Sequence, residues 1–276
     1  MSEMRLMIAS AFYMVTAYAP QILCLMESMK VCEEFGIGYT YTQLCGDSYV
    51  DRAKNTLVHE FLKSDFTHLM IIDSDETWNI EGFARLLRAA LSGCEIVAGL
   101  YPCKNNWEFY GGYPLEREGS LVGIEKDDMR LLEMDIVPGG FIIYSRQAFE
   151  RTRSNLDSYV DHDTSELVLE AFRCNIEMLG KTRYTREELD EMEAPQLVDI
   201  VMANQRGGRK GGRVGEDIYF QKRYKEMGGK IWCEPDISMG HFGVKEWKGN
   251  YHEYLLKTRV FSQEPEQQES SEEAAG

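Results

Sequence analysis

The chain has 276 residues, 46 acidic and 30 basic, for a formal net charge of −16. That charge opposes any general coating of nucleic acid or of an anionic membrane, and leaves only local contact with either. Hydrophobic residues at 43% suit a globular core, while seven cysteines, odd in number and without a C-x-x-C pair, argue for reduced thiols and against a disulfide framework or a cysteine zinc site.

Leu6 to Met26 carries no charged residue, but Ser10, Thr16, Pro20 and Gln21 interrupt it. It reads as a buried strand, a loop and a helix, not as a membrane span. The strand covers Leu6 to Ser10 and the helix about Gln21 to Phe35, stopped by Gly36 and Gly38. Gly38 to Gln43, rich in Tyr and Thr, predicts a strand. Asp51 to Lys63 predicts an amphipathic helix that buries Ala53, Leu57, Phe61 and Leu62. A strand at Leu69 to Ile72, a helix from Asn79 or Ile80 to Leu91, and a strand at Glu95 to Leu100 follow. This alternation predicts an α/β fold with a mostly parallel sheet covered by helices. Trp107 to Leu132 has Gly-rich turns and short alternating stretches that suit antiparallel strands, and Ile136 to Tyr144 reads as one strand with a Pro-Gly-Gly lead-in. Thr152 to Ile200 is polar and predicted helical in parts, and Gln205 to Val214 is a basic glycine-rich run. A helix over Glu216 to Met227 and a strand over Lys230 to Cys233 come next. The acidic Ser262 to Gly276 predicts a disordered tail.

Four constellations carry chemistry. In Leu69-Met70-Ile71-Ile72-Asp73-Ser74-Asp75 an apolar strand ends in two carboxylates, where open α/β sheets bind ligands. Continued strand geometry would turn Asp73 and Asp75 to one face, ready for a hard cation, and Ser74 away. The same pair also reads as a polar strand end with Asp73 capping the next helix. Upstream, Arg52 and Asn55 lie three apart near a helix start, a place suited to phosphate, or they are simply a solvated helix surface. Glu216-Asp217 opens a later helix, whose dipole keeps carboxylates ionised; such a pair suits a general base or merely favourable charge placement. His241 sits between Gly240 and Phe242-Gly243 in what reads as a loop, and is a third candidate metal ligand.

The run R-A-x-N-x-L…F-L-x-S-D-x-T-H-L-x-x-I-D-S-D resembles nucleotide-diphosphate-sugar glycosyltransferases of the GT-A fold, especially single-domain enzymes of bacteriophages and large viruses, with a more distant likeness to Anp1-type mannosyltransferases. The later E-D…G-G-K-I-W…H-x-G spacing fits as well. The resemblance spans about Arg5 to Gly243, with a gap over 152–212, and implies a single GT-A domain over 1–261 carrying an inserted segment at 152–213. It implies a central, Rossmann-like, mostly parallel sheet flanked by helices, with a smaller antiparallel acceptor-side region. The implied activity is hexosyl or pentosyl transfer from a nucleotide-diphosphate sugar, a UDP-sugar foremost, with Mn²⁺ or Mg²⁺ as cofactor. Residue by residue, it implies that Ala9, Ser10 and Ala11 border the base, and that Arg52 and Asn55 hold the nucleotide. Asp73 would meet ribose or sugar, with Ser74 beside it. Asp75 and His241 would hold the metal, and Lys104 a phosphate or the acceptor. Gly139, Gly140, Phe141 and Trp107 would form the sugar and acceptor region, Asp217 would be the base, and Glu216 its partner.

Two rivals start from the same residues. Asp73-x-Asp75-x-Thr77 also satisfies the haloacid-dehalogenase-like phosphatase signature, although that motif normally follows the first strand. A sugar-nucleotide-binding module without turnover is the other. The acceptor stays open between protein, glycan and a hydroxylated or hydroxymethylated pyrimidine in viral DNA. The basic run with Arg206, Arg209, Lys210 and Arg213 favours DNA, and the net charge opposes it. A cytoplasmic location, of the host cell if the protein is viral, and no membrane partner are expected.

Overall fold

The computed structural model describes residues 4–13, 17–104, 110–117, 120–126, 129–178, 211–243 and 246–258. The first half alternates strand and helix: β1 (Arg5–Phe12), α1 (Ala19–Glu34), β2 (Gly38–Cys45), α2 (Val50–Lys63), β3 (His68–Ile72), β4 (Glu76–Trp78), α3 (Ile80–Leu91) and β5 (Ile96–Ala98). Short strands follow, β6 (Tyr113–Pro114), β7 (Glu116–Arg117), β8 (Ser120–Leu121) and β9 (Gly123–Lys126), then β10 (Met129–Ile136) and β11 (Phe141–Ser145). Next come α4 (Arg146–Thr152), β12 (Ser158–Val160), β13 (Leu167–Leu169), β14 (Asn175–Met178) and β15 (Gly211–Val214). The last elements are α5 (Glu216–Glu226), β16 (Ile231–Cys233), β17 (Ser238–Phe242), β18 (Glu246–Asn250) and α6 (Tyr251–Thr258).

One nine-stranded sheet runs in the order β2-β1-β3-β11-β5-β16-β10-β6, with β9 also paired to β10. β1 is parallel to β2 and β3, and β16 to β5. β11 runs antiparallel between β3 and β5, and β10 antiparallel to β16, β6 and β9. Only β10 and β11 therefore oppose the common direction, so the sheet is the mostly parallel one expected of a GT-A-like α/β fold. Strand alternation then divides the core. Ala9, Leu69, Ile71, Ile142 and Tyr144 pack on Leu57 and Phe61 of α2, Phe149 of α4 and Phe220 of α5. Ile8, Met70, Ile72, Phe141 and Ile143 face the other way, onto Leu25 of α1 and Phe83, Leu86 and Leu87 of α3. Each such buried side chain contributes about 1.5–3 kcal/mol, and truncating one as large as Phe61 to alanine would cost about 3–5 kcal/mol.

Smaller antiparallel sheets lie beside the main one. The three-stranded β18-β17-β4 sheet matters here, because β4 begins one residue after Asp75 and pairs Glu76 directly with His241 of β17.

Two expectations change. Ile136 to Tyr144 is not one strand: Ile136 ends β10, and Pro138, which has no N–H to donate, leads with Gly139 and Gly140 through a turn into β11. The described part of the insert holds a 3₁₀ turn at Arg153–Asn155 and the strands β12 to β14, and the stretch 179–200, on which the expectation of helix in parts also falls, lies outside the described residues. His241 lies in a strand and not a loop, since β17 is paired on both sides. The rest of the insert and its basic run at 206–210, with the tail at 262–276, fall outside the described residues. No helix among the described residues is long and apolar enough to cross a membrane.

Candidate active site

Asp73 follows the C-terminal end of the central strand β3, which stops at Ile72, and Asp73-Ser74-Asp75 forms a turn. Three hydrogen bonds pin that turn. Asp73 N–H donates to Gly140 O at 2.7 Å, the buried Gln21 amide of α1 donates to Asp73 O at 2.7 Å, and Phe242 N–H donates to Asp75 O at 2.7 Å. The turn forms one wall of a cavity of about 220 Å³, whose other walls are Ala11 to Tyr13 at the end of β1 and Asp47, Ser48, Val50 and Ala53 around the start of α2. Ser74 lines this cavity with the two aspartates, because the backbone has left strand geometry where strict alternation would have turned it away.

Asp75 faces His241. Asp75 Oδ1 is 3.7 Å from His241 Nε2, while His241 Nδ1 lies 2.8 Å from the carbonyl of Pro102. A carbonyl only accepts, so Nδ1 carries the proton and the Nε2 lone pair is directed toward Asp75. Burial lowers the histidine pKa, and Lys104 adds to that against the opposing effects of Pro102 and Asp75; the imidazole is neutral at neutral pH. Neutral imidazole, a carboxylate and a second-shell carbonyl make a donor set suited to a divalent cation such as Mn²⁺ or Mg²⁺. The ammonium of Lys104 contacts the other Asp75 oxygen, and the edge of the Tyr101 ring packs on His241 with centroids 4.8 Å apart.

Behind Asp73 lies a second group. Lys54 of α2 is fully buried, with Nζ 3.4 Å from Asp73 Oδ1 and 3.0 Å from Glu216 Oε1. Burial alone would strip its proton, but Asp73, Glu216 and Asp217 outweigh that and hold the ammonium charged. Asp217 accepts from Gly139 N–H at 2.7 Å and from Ile218 N–H at 2.9 Å. Burial raises its pKa, opposed by Lys54 and reinforced by Glu216, which strengthens it as a base. Glu76 is fully buried beside Asp73 and Asp75; burial first, and those charges second, push its pKa well above the ordinary carboxyl value. Two glycines make this packing possible. A Cβ on Gly139 would fall 2.6 Å from Asp217 Cβ, and one on Gly140 would fall 2.4 Å from Glu76 Oε1.

Asp73, Ser74, Asp75, Lys104, Gly139, Gly140, Glu216, Asp217 and His241 are thus brought together from separate parts of the chain. Ala11 lines the cavity, whereas Ala9 and Ser10 lie buried beneath it. Asn55 is not brought in, and Arg52 reaches the cavity only through Asp47 on its wall, which its guanidinium holds by two bonds of 2.8 and 2.9 Å. Both polar atoms of Asn55 bond the backbone of Phe172 at 2.8 Å, so it ties α2 to the insert. Phe141 points to the opposite face of the sheet, 4.9 Å from Trp78, because β11 alternates its side chains. Trp107 lies outside the described residues.

Lys54 and Glu76 have no part in the sequence reading. The signal for Lys54 was present: it stands at the head of the apolar stripe Leu57, Val58 and Phe61, and a lysine on such a stripe must find counter-charges. Glu76 carries no comparable signal, since its burial comes from β17 and β11 folding over it.

No protein-family model matches the chain, and no curated protein matches it. Among solved structures, A197 from STIV is similar over 87% of this chain and 86% of its own, with a TM-score of 0.46 and 15% identity. A glycosyltransferase involved in the glycosylation of the major capsid of PBCV-1 is similar over 52% of this chain and 62% of its own, with a TM-score of 0.29 and 9% identity. A Bacillus anthracis protein assigned as a glucose-1-phosphate thymidylyltransferase, in complex with a sucrose, is similar over 54% and 74%, with a TM-score of 0.33 and 12% identity. Likenesses this distant assign no chemistry to the chain.

Proposed function

We propose that this protein is a metal-dependent glycosyltransferase that moves a sugar from a nucleotide-diphosphate sugar to an acceptor hydroxyl. The observation that carries the reading is the meeting, around one turn, of the cation-suited pair Asp75–His241 and the carboxylate pair Glu216–Asp217 at a helix start. Charge balance supports it. Five carboxyl groups, Asp73, Asp75, Glu76, Glu216 and Asp217, gather around two ammonium groups, Lys54 and Lys104. That acidic surplus suits a divalent cation.

The exposed Tyr13 ring on the cavity wall suits stacking on a planar base. Asp73, with one oxygen engaged by Lys54, accepts from a ribose or sugar hydroxyl. A cation held by Asp75 and His241 would supply Lewis-acid neutralisation of the departing diphosphate. Lys104, drawn off Asp75, would add a charge-assisted bond to a phosphate oxygen. The acceptor oxygen bonds to the anomeric carbon as the bond from that carbon to phosphate oxygen breaks. The acceptor proton passes to Asp217, and the nucleoside diphosphate leaves with the electron pair. That role for Asp217 requires inversion; in a retaining reaction Asp217 would only position the acceptor, and the product anomer, read by NMR, decides between them.

The test is release of nucleoside diphosphate from a panel of UDP-, GDP- and ADP-sugars with Mn²⁺ or Mg²⁺, against modified DNA, plain DNA, protein and glycan acceptors. Turnover that needs the cation and disappears in Asp75→Asn is the expected result. Hydrolysis of a phosphomonoester in place of any nucleotide sugar would establish the phosphatase. Tight nucleotide-sugar binding without turnover would establish the binding module.

A further inference from the structure

We propose that Lys54 is a positioning residue that holds the two halves of the site at a fixed separation, an inference that rests on the glycosyltransferase reading for its kinetic consequences. Its ammonium bridges Asp73, at the end of β3, and Glu216, in the first turn of α5, at 3.4 and 3.0 Å. These residues are 143 positions apart in sequence, and Lys54 itself stands on a third element, α2. Lys54 is buried on the same helix face as Leu57, Val58 and Phe61, so its charge is held out of solvent. Asp73 is fixed independently through its backbone, to Gly140 and Gln21. The start of α5 is joined to this floor through Lys54–Glu216 and through Gly139–Asp217. Removing the ammonium would leave Asp73, Glu216 and Asp217 as neighbouring like charges, and the α5 end would move away from the turn.

The bridge is not explained as a source of stability. Well-packed apolar side chains in place of a whole buried ion cluster often stabilise a fold as well or better. What the lysine adds is a fixed positive charge facing both the donor-side aspartate and the acceptor-side pair. The groups facing Asp217 are Lys54 from α2, Glu216 from its own helix, Tyr101 after β5 and Tyr144 from β11. Lys54 is the cation among them, so it also favours the ionised base.

Lys54→Met keeps the length of the aliphatic stem and removes the ammonium. Its crystal structure reads the proposal without any assay: the Asp73 and Glu216 carboxylates should separate, and carboxylates left in place would overturn it. Kinetically, kcat should fall about 100-fold, the loss that follows a displacement near 1 Å. Donor KM should stay within about threefold, because base and diphosphate are held elsewhere. The acid limb of the kcat profile should move to higher pH, and Lys54→Arg should recover most of kcat. A folded Lys54→Met with kcat within about twofold of the wild type, or with its loss confined to donor KM and an unmoved acid limb, would equally overturn the proposal. If Lys54→Met does not fold, Glu216→Ala removes one arm of the bridge and should show the same fall in kcat at constant KM; an unchanged kcat then refutes it. A wild type that transfers no sugar refutes the enzymatic reading, while the crystal structure still decides the bridge.

Discussion

Gly140→Ala is the sharpest test of the site's packing. The added methyl would fall 2.4 Å from Glu76 Oε1, 2.6 Å from Tyr101 Oη and 2.7 Å from Asp73 Oδ2, where ordinary contact begins at 3.4 Å. Glu76 must therefore retreat by about 1 Å, and the other two by somewhat less. None is free to do so cheaply. Glu76 is fully buried, Tyr101 is braced against His241, and Asp73 is held by Lys54 and by the backbone of Gly140 itself. Overpacking of this kind costs about 1–3 kcal/mol of stability. A shift of that size at Asp73 would lower kcat by about 100-fold. Urea unfolding and donor turnover measure the two effects. Gly111→Ala is the control, since its nearest new neighbour, Pro138 Cβ, lies at an ordinary 3.6 Å. A Gly140→Ala protein that unfolds at the wild-type urea concentration and turns over donor at the wild-type rate would refute the packing argument.

Three more outcomes follow from the same geometry. Burial raises the Glu76 pKa in the folded state, so the stability it contributes is complete below the ordinary carboxyl value of 4.5 and is lost as pH rises through the folded value. Glu76→Gln should remove that loss, and unfolding curves from pH 5 to 9 that stay parallel for the two proteins would contradict the assignment. Asp75→Asn and His241→Ala should each weaken Mn²⁺ binding by ~10-fold or more in an EPR titration while leaving unfolding unchanged, and unaltered affinity in either would remove that residue from the donor set. Asn55→Ala forfeits two buried bonds to the Phe172 backbone and should cost about 2–4 kcal/mol with donor KM unchanged; a weaker donor KM at normal stability would return Asn55 to the nucleotide site.

The fold was legible where burial imposes a period. The buried positions of α2, the five-residue β3 and the alternation of Ile142 and Tyr144 against Phe141 and Ile143 all follow from one-sided or two-sided burial. Misreadings cluster where pairing partners decide the outcome. Ile136 and Phe141 look continuous in sequence, yet they belong to strands separated in the sheet by β5 and β16. His241 between small residues resembles a loop, but β4 and β18 supply partners on both sides. Local sequence holds no record of either partner.

The site was legible as a set of charged residues but not as a circuit of charges. Each carboxylate was visible because it stood at an element end, where Asp73, Asp75, Glu216 and Asp217 are unusual enough to notice. The groups that make them work together stand inside elements. Spacing of three joined Arg52 and Asn55 as a pair, yet α2 turns one toward Asp47 and the other toward Phe172. Lys54, between them, is the residue that enters the site. The better rule on an amphipathic helix is to ask which charge stands on the apolar stripe, because that charge must have partners and the partners mark the site. Applied to α2, the rule singles out Lys54 from the spacing of its apolar neighbours alone. It then demands nearby carboxylates, and the unclaimed ones at element ends are those of β3 and α5. The link between the two halves of the site was therefore implicit in one lysine among Ala53, Leu57, Val58 and Phe61.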